Sequence, residues 1–244
     1  MADVFCVQQL WVKISNKRKQ KPTSFLRGLT GKVLITGLTL ASKQFKHSSD
    51  LKTIGVDEAG RGPLVGSVVA AAVILPPDFH LYGLTDSKKL SEKKRNSLYQ
   101  QITNQCDWSV AEASSIEIDK INILEATMLA MKRAINKLQD ELLRSGEESI
   151  FKVLVDGNRS PDVPNCLAIV KGDLIEPVIS AASIIAKVVR DRQMKELDSK
   201  YPQYGFAQHK GYGTTEHLMA LSKYGPIAGI HRHTFAPIKN LIID

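Results

Sequence analysis

Residues 54–62 read Ile-Gly-Val-Asp-Glu-Ala-Gly-Arg-Gly. The apolar run Thr53–Val56 is typical of a β-strand, and two adjacent carboxylates, Asp57 and Glu58, follow it directly. We expect the strand to end at Asp57 and the glycine-rich turn to carry Glu58 to the rim. A carboxylate at the end of a buried strand is costly unless it is paired or bound to a metal ion. Glycines on both sides of Arg61 let the backbone approach a phosphate or a sugar closely, so the stretch indicates phosphodiester chemistry.

Strands and helices alternate through most of the chain that follows. The hydrophobic spacing and the capping residues favour an α/β domain with a mixed sheet flanked by helices and a C-terminal helical region. The predicted strands are Thr53–Asp57, Leu64–Leu75, Trp108–Ala113, Phe151–Val155 and Cys166–Val170. The predicted helices run from Ser91 to about Ile102, over Asn122–Leu143, from Ile179 to about Ser199, and from Thr214 or Thr215 to Gly225.

Composition excludes several classes of protein. With 244 residues, 43% of them hydrophobic, the chain can bury a normal globular core. The longest apolar run, Leu64–Leu75, is shorter than the roughly 18 residues that cross a bilayer, so we expect no membrane association. Cys6, Cys106 and Cys166 are scattered and form no CxxC pair, which argues against a disulfide framework or a zinc site. A reducing compartment follows, and we predict a cytoplasmic protein.

Positive charge is concentrated near the N-terminus. Residues 1–49 carry nine Lys/Arg and one acid, whereas residues 50–244 carry 24 of each and are neutral. We therefore predict a basic N-terminal extension over residues 1–49 and a catalytic domain over residues 50–244. The extension is interpreted either as a weakly ordered tail, or an over-extended start of the reading frame, or as an arm that binds nucleic acid.

Two further acids follow strand-like runs in the way that Asp57 does. Asp156 follows Phe151–Val155, and Asp173 comes shortly after Cys166–Val170. If the strands before Asp57 and Asp156 are parallel neighbours, both carboxylates lie at one edge of the sheet, where sites in α/β proteins form. Oxygen ligands without histidine or cysteine suit Mg²⁺ or Mn²⁺, and two such ions can support phosphodiester hydrolysis. Taken singly, each acid could equally be an ordinary turn residue, as Asp156 before Gly157 illustrates.

Seven segments in order give the chain a family resemblance. It resembles the type 2 ribonucleases H, specifically the bacterial ribonuclease HII family, and the likeness extends over about residues 52–240. Residues 1–49 are not covered, and the Gly-Arg-Gly form is unlike the turn of the sister ribonuclease HIII family. The segments are Asp57–Gly62, Asp86–Ser91, Val155–Arg159, Val170–Asp173, Ser180–Ile184, Gln203–Phe206 and His209–Gly213.

The resemblance implies that residues 50–244 form a ribonuclease H-like catalytic domain, and it also implies a function. The expected activity is metal-dependent endonucleolytic cleavage of RNA in RNA–DNA hybrids, with incision 5′ to single ribonucleotides embedded in duplex DNA, in replication and repair. By position, the catalytic metal ligands would be Asp57, Glu58, Asp156 and Asp173, holding Mn²⁺ or Mg²⁺, with two ions during catalysis. No obligate protein partner is inferred. Another nuclease of the same fold and a non-catalytic hybrid-binding protein remain as alternatives.

Five residues are candidates for binding the substrate. Gly60, Arg61 and Gly62 could place backbone groups against the 2′-hydroxyl that distinguishes RNA from DNA, although a tight turn between strands would also use glycine. Tyr212 lies between two glycines and could stack on a sugar or base, a sensing role that the resemblance supports, or simply anchor its loop. Lys88, just before the predicted helix at Ser91, could contact phosphate or lie in a solvated turn. No role is assigned to His209, His231 or His233.

The two interpretations of the extension differ in salt dependence. A weakly ordered tail predicts that full-length protein and a variant limited to residues 50–244 lose affinity for an RNA–DNA hybrid equally as salt rises. Binding would be measured by fluorescence anisotropy at several salt concentrations. A smaller slope in the truncated protein would instead favour the nucleic-acid-binding arm, because each lost phosphate contact lowers the slope by about one.

Overall fold

The computed structural model describes residues 51–79, 90–147 and 149–242. The predictions for residues 1–49 and for Lys88 therefore lie outside the described residues, and the division of the chain at residue 50 stays a prediction. The strands are β1 (Leu51–Ala59), β2 (Val68–Ile74), β3 (Asp107–Ala113), β4 (Ile150–Asp156) and β5 (Cys166–Ile169). The helices are α1 (Glu92–Gln105), α2 (Ser115–Arg144), α3 (Gly172–Ile175), α4 (Pro177–Lys200), α5 (Phe206–His209), α6 (Thr215–Tyr224) and α7 (Ala236–Ile242), with a 3₁₀ turn at Pro202–Tyr204.

The described strands form one mixed sheet in the order β3-β2-β1-β4-β5. β1 pairs antiparallel with β2, which pairs antiparallel with β3, whereas β1–β4 and β4–β5 are parallel. This arrangement confirms the predicted mixed sheet flanked by helices. The parallel pairs bring the carboxyl ends of β1, β4 and β5 to one edge of the sheet.

β2 shows why the sheet is covered on both faces. All seven of its residues are buried, and alternate side chains enter different clusters because successive residues of a strand point to opposite faces. Val68, Ala70 and Ala72 pack with α2, whereas Ala71 and Val73 pack with α1 and α4. A run that is apolar throughout is therefore the pattern of a strand between two helical layers.

Several predicted boundaries were wrong, each for a local reason. β1 does not end at Asp57, because antiparallel pairing with β2 continues through Glu58 and Ala59. Residues 64–66 do not belong to β2; they pair instead with the chain near residues 230–232. β5 ends at Ile169 and not at Val170, and Asp173 follows it in the first turn of the short helix α3. α2 begins before Asn122, at a capping box formed by Ser114 and Glu117.

Asn122 nevertheless marks a real break in α2. Its φ of 68° and ψ of 165° are not helical, so the helix has two parts with a kink between them. The Asn122 side-chain oxygen accepts hydrogen bonds from the backbone N–H groups of Leu124 and Glu125. The residue thus caps the second part, which explains why the sequence pattern predicts a helix beginning there.

A third cluster joins the C-terminal helices to the loop between β1 and β2. Leu64 and Val65 from the loop pack with Phe206, Leu221 and Ile238. Among the described helices, none is long and apolar enough to cross a membrane.

Gly55 sets the approach of α4 to β1, and replacing it tests that packing. A Cβ added at Gly55 would lie 2.3 Å from the backbone carbonyl carbon and oxygen of Val178 near the start of α4. Because backbone atoms cannot move aside alone, Gly55→Ala should lower the free energy of unfolding by about 1–3 kcal/mol or more. Urea unfolding would measure the change. Thr53→Ala on the same strand is the control, and equal losses in both variants would contradict the close packing.

Candidate active site

The parallel pairing of β1 and β4 brings two of the predicted acids together. Val56 lies opposite Val155 in the ladder, so Asp57 and Asp156 come next on neighbouring strands. Asp57 is buried, and its carboxylate accepts hydrogen bonds from the Glu58 backbone N–H, at 2.7 Å, and from the Ser183 side chain on α4. The side chain of Glu58 reaches Arg61, with 3.4 Å between Oε1 and Nη1.

Asp173 reaches the same edge through a tight turn after β5. Its backbone N–H donates a hydrogen bond of 3.2 Å to Oδ1 of Asp156. The preceding Lys171 has left-handed backbone angles, φ 57° and ψ 37°, which turn the chain into α3. A Cβ on Gly172 would lie 2.6 Å from Cδ1 of Ile179 and 3.2 Å from Cβ of Ile169, so a larger residue there would require the Ile179 side chain to move. The Ser180 hydroxyl also donates to the carbonyl oxygen of Asp173.

Burial and the like charges of neighbouring acids disfavour ionisation of Asp57 and Glu58. Burial raises the pKa of Asp57 well above its usual range, and the nearby charges of Glu58 and Asp156 raise it further. Burial also raises the pKa of Glu58, against the opposing effect of Arg61. A cation placed among the three acids would favour the charged forms.

The donor atoms suit a hard divalent cation, although the side chains are not arranged as a formed metal site. Four acids supply only oxygen ligands, the chemistry that Mg²⁺ and Mn²⁺ prefer. Within the described parts of the chain, no three His, Cys, Asp or Glu side chains already lie at metal-ligand spacing. Side-chain rotation at Asp57, Glu58, Asp156 and Asp173 would therefore have to accompany metal binding.

A cavity of about 360 Å³ opens beside the acids. Glu58 lines it, together with the Gly-Arg-Gly turn and Tyr212. A Cβ on Gly62 would lie 3.1 Å from Cε1 of Tyr212, so the turn and the ring face each other closely. The Tyr212 ring is half exposed, which leaves it accessible to a ligand.

Three histidines fix the backbone of the Tyr212 loop. The Gly211 N–H donates to Nδ1 of His209, and the Tyr212 N–H donates to the His209 carbonyl oxygen. The Tyr212 carbonyl oxygen lies 2.9 Å from Nδ1 of His217, and Nε2 of His217 lies 3.4 Å from Nε2 of His231. Tyr212 is thus both a loop anchor through its backbone and an exposed aromatic through its ring.

The contacts from His231 through His217 to the Tyr212 carbonyl oxygen form a histidine relay, and the hydrogen bonds show which ring nitrogens carry protons. The Ile227 N–H donates to Nδ1 of His231, so a neutral His231 carries its proton on Nε2 and donates to His217. Nδ1 of His217 then donates to the Tyr212 carbonyl oxygen. Burial lowers the pKa of His231 to about 4, and the neighbouring His217 lowers it as well. The hydrogen bonds of His217 and His231 are therefore satisfied when both imidazole rings are neutral.

A model of the ribonuclease HII family matches residues 54–238. The chain belongs to the ribonuclease HII family. It is 58% identical over 193 residues to Ribonuclease HII of Neisseria meningitidis serogroup B, a match that covers 78% of this chain and 95% of that protein. The predicted resemblance is thereby confirmed, and the protein is a ribonuclease H-type endoribonuclease. Residues 1–49 lie outside the matched region.

Solved structures agree on the fold. The ribonuclease H2 of Pyrococcus horikoshii OT3 aligns with a TM-score of 0.62 and 26% identity, covering 78% of this chain and 97% of that one. Bst-RNase HIII in complex with Mn²⁺ aligns with a TM-score of 0.63 and 18% identity, covering 80% of this chain and 70% of that one. The ribonuclease H-like fold predicted from the sequence is thus confirmed.

The cavity beside Glu58 also contains basic residues that the sequence patterns did not single out. Arg95, Lys187, Arg190 and Lys210 line it. On α4, Lys187 and Arg190 continue a polar stripe that starts at Ser183, with spacings of four and three residues. A polar stripe on an otherwise buried helix is the signal that could have found them, because such residues need a partner or a ligand.

The histidine relay predicts a pH dependence of stability. The folded protein resists protonating His231 until about pH 4, whereas an unfolded histidine takes up its proton near pH 6.5. Its contribution to stability is therefore complete above about pH 6.5 and is lost as pH falls towards 4, by at most about 1.4 kcal/mol per pH unit. Urea unfolding at pH 7.5 and 4.5 should show a smaller loss for His231→Gln than for wild type. Exposed His233→Gln is the control and should lose nearly as much stability as wild type, because His233 has the smallest of the effects that act on the pKa of His231. An unchanged loss in His231→Gln would refute the neutral relay.

Proposed function

We propose that this protein hydrolyses the RNA strand of RNA–DNA hybrids and cuts 5′ to single ribonucleotides embedded in duplex DNA. The observation that carries the proposal is the meeting of Asp57, Glu58 and Asp156 beside a cavity lined by the Gly60–Gly62 turn and Tyr212. Acids that can hold metal ions lie next to groups that can contact a ribose. The substrate class is the one on which the family acts.

The four acids Asp57, Glu58, Asp156 and Asp173 would hold divalent cations, Mn²⁺ or Mg²⁺, with two ions during catalysis. Their oxygen-only chemistry and the raised pKa values of Asp57 and Glu58 support this assignment, since a cation would offset the repulsion. The Mn²⁺ complex of the structurally similar RNase HIII is consistent with it. Such ions supply activation of water and charge stabilisation at the phosphate.

The other residues of the cavity would bind and orient the nucleic acid. The Gly60–Gly62 turn brings bare backbone next to the ribose, and the half-exposed Tyr212 ring offers a stacking surface. Lys187 and Lys210 lie in the same cavity and can contact phosphates. Hydrolysis by in-line attack of water would leave a 3′-hydroxyl and a 5′-phosphate.

Substitution of the acids tests both the reaction and the metal assignment. Asp57→Asn and Asp156→Asn should each abolish cleavage of a duplex with one ribonucleotide while leaving the fold intact. Because Asp57 is buried beside like charges, Asp57→Asn should also match or exceed wild type in thermal stability without metal, and should gain less stability from Mn²⁺. Cleavage would be followed on sequencing gels and stability by thermal melts.

Asp162→Asn is the matched control, because Asp162 is an exposed acid paired with Lys132 away from the cavity. It should cleave as wild type. Full activity of Asp57→Asn or Asp156→Asn would refute the metal-ligand assignment. If the wild-type protein binds RNA–DNA hybrids without metal-dependent cleavage, a hybrid-binding protein is favoured. If it cleaves hybrids but does not cut 5′ to a single embedded ribonucleotide, only the broader activity on hybrids remains.

A further inference from the structure

A buried arginine near the C-terminal end holds the Gly-Arg-Gly turn from behind. Arg232 has no exposed surface, and its guanidinium donates four hydrogen bonds to main-chain carbonyl oxygens of residues 60–67. Nη2 donates to Gly60 at 2.6 Å and to Ser67 at 3.2 Å, Nη1 donates to Arg61 at 2.8 Å, and Nε donates to Gly66 at 2.9 Å. One side chain therefore holds the first two residues of the turn against the end of the loop that leads into β2.

These contacts determine where the turn's amide groups point. In a planar trans peptide, the C=O and the following N–H point in opposite directions, and the described residues contain no cis peptide. Because Arg232 draws the carbonyls of Gly60 and Arg61 towards itself, the N–H groups of Arg61 and Gly62 face away from it. Neither N–H has a hydrogen-bond partner among the residues that the structure describes. Both residues line the cavity, so two adjacent donors remain for a ligand.

A second buried guanidinium, that of Arg190, lies under the same turn. It donates from Nη2 to the Val65 carbonyl oxygen at 2.5 Å, while Nε and Nη1 are buried and have no hydrogen-bond partner among the described residues. A Cβ on Gly60 would lie 2.6 Å from Nε, and a Cβ on Gly66 would lie 2.7 Å from Nη1. Both glycines have positive φ, so the turn wraps closely over this cation.

The two guanidinium groups leave positive charge under the turn without a carboxylate bound to either. Neither Arg190 nor Arg232 forms a salt bridge within the described ranges. Burial lowers the pKa of Arg232 to about 9, with a further lowering by Arg190, and burial lowers that of Arg190 to about 10. A cation bound to a carbonyl also polarises the peptide, which strengthens the N–H on its other side as a donor.

We infer that Arg232 is a positioning residue for ribonucleotide recognition: it directs the Arg61 and Gly62 N–H groups at the oxygen acceptor that only a ribose carries, its 2′-hydroxyl. It acts through the backbone and touches no substrate atom. Arg190 supports the same turn and adds to the positive potential there. The inference rests on the proposed function, because it explains how that site distinguishes a ribonucleotide from a deoxyribonucleotide.

Arg232→Lys tests the inference because lysine keeps the charge but lacks the fork that reaches several carbonyls at once. The readout is the ratio of affinities for a duplex with one ribonucleotide and for the same duplex in all-DNA form, measured in an Asp57→Asn background to prevent cleavage. We expect the ratio to fall by about tenfold, as the loss of one well-placed hydrogen bond would produce. In the active background, the Mn²⁺ concentration giving half-maximal cleavage should stay unchanged.

Ile238→Ala is the matched control for lost stability. Ile238 is fully buried in the C-terminal cluster and makes none of the turn's hydrogen bonds. It should lower the free energy of unfolding yet keep the wild-type affinity ratio. A wild-type ratio in folded Arg232→Lys, or an equal fall in Ile238→Ala, would overturn the positioning role. If wild type itself does not cleave at an embedded ribonucleotide, the proposed function fails instead.

A second measurement needs no change at Arg232. In ¹⁵N-labelled Asp57→Asn protein, the amide resonances of Arg61 and Gly62 should shift on adding the ribonucleotide-containing duplex and move much less with the all-DNA duplex. Equal shifts with both duplexes would overturn the inference even if Arg232→Lys does not fold.

Discussion

Parallel hydrogen bonding between β1 and β4 sets Val56 opposite Val155, and the site depends on that register. A slip of one residue would turn Asp57 towards the α2 side of the sheet and separate it from Asp156. The register is secured by burial, because Ile54, Val56, Val153 and Val155 all enter the cluster under α2. On the other face, Gly55 admits the start of α4, so Asp57 meets Ser183. The apolar packing thus decides where the carboxylates lie.

Charges of both signs are buried at this site without neutralising each other. Asp57 lies among like charges, and Arg190 and Arg232 lie under the glycine turn. Main-chain carbonyls occupy the Arg232 guanidinium and one nitrogen of Arg190, and neither group forms an ion pair with an acid among the described residues. Each set can therefore interact with an outside charge of opposite sign, which in the proposed function is a cation for the acids and the nucleic acid for the turn. Such an arrangement lowers the stability of the free protein in favour of binding.

The sequence predicted the sheet, its flanking helices and the family, because hydrophobic periodicity and strand-end acids are local patterns. It placed the ends of β1 and β2 wrongly, since these depend on pairing with distant partners: Glu58 with Ala70, and Leu64 with Arg232. It also left Arg190 and Arg232 unassigned. No neighbouring residues mark an arginine whose acceptors lie more than a hundred positions away, as the four carbonyls of Arg232 do. The roles of the four acids, the turn and Tyr212 stay predictions.

The support of the turn by Arg232 has a consequence for how the molecule matures. Gly60 is synthesised 172 residues before Arg232. Until then the sheet can form, because β1 to β5 are complete by Ile169, but the two amides of the turn have nothing to orient them. If the proposed role of Arg232 holds, a chain that stops before residue 232 would carry its acids on the sheet without the oriented amides that distinguish RNA from DNA. On the proposed role of Arg232, recognition of the ribonucleotide becomes possible only after residue 232 has been synthesised.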